Sequence, residues 1–291
     1  MTDQAPSRKQ GLFIGLVTLD FIYRVQQYPH SNQKVVASDY AASAGGPATN
    51  AAVAFSYLGN WAVLLSVVGV HPITQLIEAD LRQQDVMVLD LDPRRTEPPP
   101  ISSIIVSQRP SDRAVVSINA IKSQMSPQAI PIQALQGVEV VLIDGHQLAV
   151  SEMLAQQARL KGITVVLDGG SWKPGLEKVL PHVNYAMCSA DFYPPGCCSQ
   201  ADVLAYLTQF EIPQIAITQG QNPIQCFQNH EFTTVEVPTV NCLDSLGAGD
   251  IFHGAFCHFI LQQPFLLAVK SAAKIASHSC QFFGTRAWMN H

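Results

Sequence analysis

The residues best suited to chemistry lie in one stretch, Asn241-Cys-Leu-Asp244-Ser-Leu-Gly247-Ala248-Gly249-Asp250-Ile-Phe-His-Gly254-Ala-Phe256. Two glycines separated by one alanine precede an apolar run to Ile260, which sets a flexible loop against a helix N-terminus. Unpaired N–H groups and the helix dipole there favour an anion such as a phosphoryl group. Asp250, in the first turn, is stabilised as a carboxylate by that field and stands where it could accept a hydroxyl proton. The same residue would serve equally as a plain first-turn acid, and spacing alone leaves both readings open.

Other polar positions carry weaker signals. Gly45-Gly46-Pro47-Ala48-Thr49-Asn50 followed by the apolar run Ala51 to Leu58 and Gly59 reads as a loop entering a helix. Asp20 reads as a strand-end turn residue. Thr218-Gln219-Gly220 follows a buried strand, so it is either an ordinary exit turn or a ligand edge at a sheet's carboxyl end. Asp144-Gly145-His146 is a strand-end aspartate of the kind held by turn N–H groups. His253, one turn into the motif helix, could approach a substrate or simply pack. His278 reads as packing or surface. The nine histidines form no HxxxH or HExxH pair, so zinc has no support. Seven cysteines (Cys188, Cys197, Cys198, Cys226, Cys242, Cys257, Cys280) form no CxxC pair and imply reduced thiols. Adjacent Cys197 and Cys198 could bind a soft metal or oxidise, or be two loop thiols without a role.

These residues need a scaffold. Short apolar runs at Leu12 to Val17, Val63 to Val68, Val138 to Ile143, Thr164 to Leu167, Tyr185 to Cys188 and Gln214 to Thr218 read as buried strands. Helix-length segments separate most of them. Ser151 to Lys161 is one: Ser151 can cap it, Met153, Leu154, Ala158 and Leu160 supply apolar positions, and Gly162 ends it. Repetition of strand, helix, strand implies a parallel sheet covered on both faces. Ala51 to Val70 is the most apolar stretch, but Gly59-Asn60 divides it into a buried helix and a buried strand. Two regions break the rhythm, Phe21 to Ala44 and Pro98 to Ala120. Alternating segments such as Lys34 to Tyr40 and Ala114 to Asn119 look like antiparallel strands of a small projecting sheet, entered through the stiff run Pro98 to Pro100 or joined to it by a plain surface loop.

At 291 residues, 47% hydrophobic and 13% charged, with a net charge of −5, the chain is expected to bury one large core. No basic block suggests a nucleic-acid groove or a membrane face. The polar start MTDQAPSRKQ lacks the apolar centre of an export signal, which gives the expectation of a cytoplasmic protein acting on small molecules.

Asp244-Ser-Leu-Gly-Ala-Gly-Asp250 closely resembles the C-terminal signature of the ribokinase-like (phosphofructokinase B type) carbohydrate kinases, Asp-Thr-x-Gly-Ala-Gly-Asp. Gly45 to Asn50 resembles that family's N-terminal Gly-Gly signature, and Gly15-Leu-Val-Thr-Leu-Asp20 its first strand with a terminal sugar-binding aspartate. The likeness runs from about Gly11 to Gly284. It implies an α/β fold of three layers, α/β/α, with a mostly parallel central sheet and a small β-sheet lid. The core would take 11–20, 45–97 and 121–291, and the lid 21–44 and 98–120.

The resemblance implies an ATP-dependent sugar kinase that moves the γ-phosphoryl group to a hydroxyl of a ketohexose- or pentose-like carbohydrate. A nucleoside or sugar-phosphate acceptor, or a catalytically silent sensor of the same fold, is the alternative. Arg94, Arg95, Arg109 and Arg113 are the cations a phosphorylated acceptor would need. Asp250 would be the base, with Gly247, Ala248 and Gly249 as the catalytic cradle. Asp20, Gly45, Gly46, Asn50, Arg113 and Asp144 would meet the substrate; Thr218, Gly220, Asp244, Gly247 and Gly249 would meet the nucleotide. Ala272 to Phe283 resembles the helix that closes over adenine. ATP and Mg2+ are implied, with a monovalent cation left open and a lid-to-lid homodimer expected. Where the family carries Asn-x-x-Glu near the metal, this chain has Cys188-Ser189-Ala190-Asp191, which leaves Asp191 as an oxygen ligand acting through water, because a thiol is a poor ligand for a hard cation.

Overall fold

A computed structural model describes residues 8–108, 111–118 and 124–291. The main sheet is built from β1 (Gln10–Ile14), β4 (Trp61–Ser66), β5 (Val86–Asp90), β8 (Val140–Ile143), β9 (Thr164–Gly169), β10 (Tyr185–Ser189), β11 (Gln214–Gln219), β12 (Asn222–Gln228) and β13 (Glu231–Val235). Its order is β13-β12-β11-β10-β9-β8-β1-β4-β5. All pairings from β11 through to β5 are parallel, and the β11–β12–β13 edge is antiparallel.

Strand alternation sends side chains to two apolar cores. Phe13, Leu64, Leu142, Val166 and Met187 pack on one face with α1 (Pro47–Tyr57), α2 (Thr74–Gln83), α5 (Ala248–Ile260) and α6 (Phe265–Ser279). Leu12, Leu65, Val141, Leu167 and Cys188 pack on the other with α3 (Leu148–Leu160) and α4 (Gln200–Thr208). Burial on both faces is why these strands read as unbroken apolar runs. The outcome is the expected three-layer α/β/α arrangement.

A second, four-stranded sheet has the order β3-β2-β6-β7, from β2 (Thr18–Val25), β3 (Asp39–Gly45), β6 (Ile101–Gln108) and β7 (Ser111–Ser117). Leu19 N–H donates to Pro100 O at 2.9 Å, so the proline run is tied where it enters β6.

Several local expectations change. Asp20 does not end the first strand: β1 stops at Ile14, and Asp20 lies inside β2, opposite Ser43 and Ser102. Lys34 to Ser38 precede β3 rather than forming it. Ser151 is no cap: α3 starts after Gln147, and the buried Ser151 hydroxyl donates to His146 O at 3.2 Å within the first turn. Leu160, expected to pack, is 83% exposed, while Val150, Leu154, Ala155 and Ala158 make the buried stripe. Gly59 and Gly162, at φ 90 and 71, end α1 and α3 as expected. Arg109, Asn119 and Ala120 lie outside the described residues.

Candidate active site

The motif helix α5 begins just past Gly247, whose φ of 71 suits glycine. No side chain caps this end, and among the described residues the N–H groups of Gly249 and Asp250 meet no protein acceptor. Ala248 N–H makes a long 3.3 Å bond to Ser245 O. A Cβ at Gly249 would enter open space, so a cradle stands clear at the positive end of the helix.

Helix α1 delivers Asn50 opposite this point. Gly254 lets α5 approach α1 so closely that a Cβ there would come within 2.1 Å of Ala51 O. Asn50 Nδ2 then donates to Asp250 Oδ2 at 2.9 Å. Asn50 Oδ1 accepts from Arg286 Nη1 at 2.9 Å, and Arg286 Nη2 donates to Ala44 O at 2.6 Å and to Asp80 Oδ2 at 3.1 Å. The guanidinium can only donate, so it turns the amide oxygen toward itself and the amide N–H toward the aspartate.

The Gly-Gly segment joins the same place. A Cβ on Gly45 would come within 1.9 Å of Asp20 Oδ2, and one on Gly46, at φ 100, within 2.4 Å of Leu16 O. The missing side chains are what admit the Asp20 carboxylate and the tight turn. Asp20 is buried, and burial pushes its pKa up against the Thr18 and Ser102 hydroxyls and the Arg286 charge; Thr18 Oγ1 donates to it at 2.6 Å. Asp20, Gly45, Asn50 and Asp250 thus converge around Arg286.

Asp144 behaves differently from its expected substrate role. Its Oδ2 accepts N–H from Leu16 at 2.9 Å and Ala48 at 3.1 Å, while Oδ1 accepts the His146 N–H at 2.8 Å and lies 3.0 Å from His146 Nδ1. It is 1% exposed. Burial opposes its charge, but His146, the Leu16 N–H and Lys173 outweigh that and hold its pKa down at about 2. Its oxygens are committed to pinning the loop after β1 to the start of α1, which leaves little of the carboxylate for a sugar.

Asp250 keeps a partly open face although protein crowds its other sides. Burial and then Asp168 raise its pKa, Asn50 and His253 lower it, Asp144 raises it again, and the result is about 7. His253 is buried, its Nδ1 is 3.1 Å from Asp168 Oδ2, and its Nε2 is 3.1 Å from Met187 O. The His253–Asp168 contact is close enough for an ion pair but is not aligned as a hydrogen bond. Burial alone would lower the His253 pKa; Asp168, Asp250 and the Met187 carbonyl outweigh it, and the net direction is up.

The expected nucleotide residues sit along the carboxyl end of the parallel strands. Thr218, one residue before the end of β11, pairs with Ser189 of β10, and Gly220, at φ 61, opens the turn into β12. Asp244 is buried, and its carboxylate accepts N–H from Leu246 and Gly284 at 2.9 Å each, so it shapes the cradle loop from within. Arg113, exposed on β7, donates to Ser245 Oγ at 2.9 Å, joining the small sheet to the motif loop. Asp191 is exposed just beyond β10. Cys188 is buried in the core and its thiol is pushed far up by burial and Asp168, so this position cannot face the cleft. Among the described residues no group of three or more His, Cys, Asp or Glu could hold a metal, and no helix is long and apolar enough to cross a membrane. All seven cysteines are free.

Sequence reasoning missed Arg286, Asp80 and Asp168. Arg286 and Asp80 had no motif to mark them. Asp168 followed an apolar strand directly before Gly169-Gly170, and a strand-end acid at a sheet's carboxyl edge was the available signal.

Comparison with known proteins bears on the whole chain. The profile described as pfkB family carbohydrate kinase matches residues 9–290. The ribokinase of Bacillus subtilis strain 168 is 21% identical over 285 residues, covering 95% of this chain and 94% of the relative. A ribokinase structure from Giardia lamblia superposes with TM-score 0.78 at 19% identity, covering 96% of each chain. A microbiome-derived acarbose kinase gives TM-score 0.82 at 16% identity, covering 97% and 95%. At such identities the structures establish the shared fold.

Proposed function

The chain belongs to the pfkB family of carbohydrate kinases, phosphotransferases acting on a hydroxyl acceptor, and from that premise we propose that it moves the γ-phosphoryl group of ATP to a hydroxyl of a small free sugar, ketohexose- or pentose-like. The observation that carries this reading is the bond between Asn50 and Asp250 at the mouth of the glycine cradle.

In this mechanism Asp250 accepts the acceptor hydroxyl's proton as the hydroxyl oxygen attacks the γ-phosphorus and the bond from that phosphorus to the β–γ bridging oxygen breaks, releasing ADP. A pKa near 7 suits a base that must hold and release a proton near neutrality. The free N–H groups of Gly249 and Asp250, with Gly247 and Ala248 shaping the turn, stabilise the charge spread over the transferred group. Asp20 and the second N–H of Asn50 orient the sugar hydroxyls. Leaving a buried polar group unmatched costs about 1–3 kcal/mol, which makes the recognition selective. Asp144 acts as a positioner of the Gly-Gly loop. Thr218, Gly220 and the Asp244-shaped loop form the nucleotide edge. Mg2+, when bound, neutralises phosphate charge; Asp191, an exposed hard-oxygen ligand, fits a water-mediated contact. Arg113 links the small sheet to the cradle loop, which suits a lid that excludes water.

A free sugar is favoured over a phosphorylated one because Arg95 faces Glu97 at 3.8 Å and Arg113 is held by Ser245. Exposed Tyr40, Val115 and Val116 on the small sheet, with Ile118 just beyond β7, support a lid-to-lid homodimer. Free thiols support a reducing, cytoplasmic setting. A phosphorylation panel across ketohexoses, aldopentoses, nucleosides and sugar phosphates, with ATP and Mg2+, is the test. Turnover confined to nucleosides or sugar phosphates would replace the acceptor assignment, and sugar binding by calorimetry without turnover would make the protein a sensor.

A further inference from the structure

His253 sits three residues past Asp250 on the same helix and takes no part in the mechanism above. Both of its ring nitrogens face oxygens: Nε2 the Met187 carbonyl of β10, Nδ1 the Asp168 carboxylate of β9, each at 3.1 Å. A carbonyl oxygen can only accept, so Nε2 must carry a proton. A carboxylate also only accepts, yet a neutral imidazole has a single N–H. Either neutral tautomer would therefore set a lone pair against a lone pair where water is excluded, since His253 and Asp168 are each 4% exposed. Asp168 Oδ1 takes the Gly170 N–H at 3.1 Å, which leaves Oδ2 to face His253.

The charge balance around Asp250 points the same way. Two other carboxylates, Asp168 and Asp144, act on Asp250 here. Asp144 is satisfied by its own N–H donors and His146. From α1 the neighbour of Asp250 is the neutral Asn50 amide. The thiols of Cys188 on β10 and Cys257 on α5 feel Asp168 and are kept neutral by burial. Asp168 and Asp250 need a cation between them.

We propose that His253 is held as an imidazolium between Asp168 and the Met187 carbonyl, and that it is the positioning residue whose buried positive charge favours the carboxylate form of Asp250 beneath the glycine cradle. The role assigned to Asp250 rests on the kinase reading; the charge state of His253 does not. Substitution should act in a definite direction. Removing the imidazolium leaves Asp168 bare beside Asp250, and Asp250 then holds its proton to higher pH. Removing Asp168 takes away the opposing charge, so Asp250 is not driven up.

The resting protein tests this without substrate. Protein labelled with 15N-histidine, assigned with His253→Asn, should show both His253 nitrogens protonated from about pH 6 to 9, a range in which an ordinary histidine titrates. Asp250, followed by its 13C-labelled carboxyl, should titrate about one pH unit higher in His253→Asn and no higher than wild type in Asp168→Asn. The acid limb of kcat should move with it. A neutral His253 tautomer in the wild type, or an Asp250 titration unmoved in His253→Asn, overturns the proposal. Should His253→Asn fail to fold, Asp168→Asn still decides: His253 must there become an ordinary titrating imidazole, and persistence of the imidazolium sinks the pairing. An imidazolium in a protein that phosphorylates no acceptor would retire the kinase reading and leave the buried pair standing.

Discussion

The two halves of the proposed site, one assigned to the acceptor and one to the nucleotide, are organised by opposite means. On the acceptor side, Asp20, Asn50, Asp80, Arg286 and Asp250 are linked by charged or amide side chains from distant parts of the chain. On the nucleotide side, Gly249, Gly220 and Thr218 offer mostly backbone, and the N–H groups of Gly249 and Asp250 meet no acceptor among the described residues. The acceptor half is preorganised before anything binds, which places its polar groups at little cost when substrate arrives. The half assigned to phosphate offers helix-end donors without a protein acceptor among the described residues, as an anion site would. Selectivity should therefore reside in the first half and charge stabilisation in the second.

The largest effect that sharpens this contrast is expected at Asp250. Asp250→Asn should lower kcat by about 10²–10⁴-fold while ATP binding, read by calorimetry, stays near wild type. Turnover within a few-fold of wild type would end the assignment of the base. The same substitution should stabilise the fold at alkaline pH. The folded pKa of Asp250, about 7, lies above its ordinary carboxylate value, so the stability it contributes is present below about pH 4 and lost as pH rises through about 7. Denaturant midpoints at pH 8 should favour Asp250→Asn, and the gap should close near pH 4.

A paired glycine experiment comes next. Gly45→Ala drives a methyl into the Asp20 carboxylate and should cost about 1–3 kcal/mol of stability together with a raised acceptor KM. Gly249→Ala meets nothing in the protein and should hold or gain stability, by up to about 1 kcal/mol, while the KM for ATP rises. Identical behaviour of the two variants in melting and kinetics would erase the distinction between the halves.

The smallest effects belong to the nucleotide rim. Thr218→Val removes a hydroxyl whose protein contact is a 3.3 Å bond to Cys188 O, and Asp191→Asn an exposed carboxylate. Each should change the KM for ATP or Mg2+ by no more than about tenfold, the worth of a typical single hydrogen bond, with acceptor KM unmoved. A large acceptor effect at either residue would place it on the wrong side of the cleft.

Much of this architecture was legible in advance. The core strands are apolar because both faces are covered, so β1, β4, β8, β9, β10 and β11 could be found from short runs of residues. The α5 N-terminus was legible because glycine, a helix start and a first-turn acid are local in sequence. Strand β13 was missed because Glu231 to Thr234 are exposed, so no buried face imposes a pattern on them, and β12 buries only Ile224 and Cys226, too short an alternation to mark a strand. Placing Asp20 at the end of the first strand failed because one extended run, Gly11 to Val25, is divided between two sheets, a division that depends on pairing partners rather than on propensity.

By itself the chain's order of residues determined where an anion could be cradled and which carboxylate stands beside it, since helix ends and glycine turns are specified by neighbours along the backbone. It could not determine that Arg286 would orient Asn50 from 236 positions away, that Asp144 would spend its oxygens on the loop after β1, or that His253 would meet Asp168. Hydrogen-bond and charge partners brought together by packing leave no periodic trace in the chain, so only the tertiary structure decided which polar groups are satisfied by the protein and which still await a substrate.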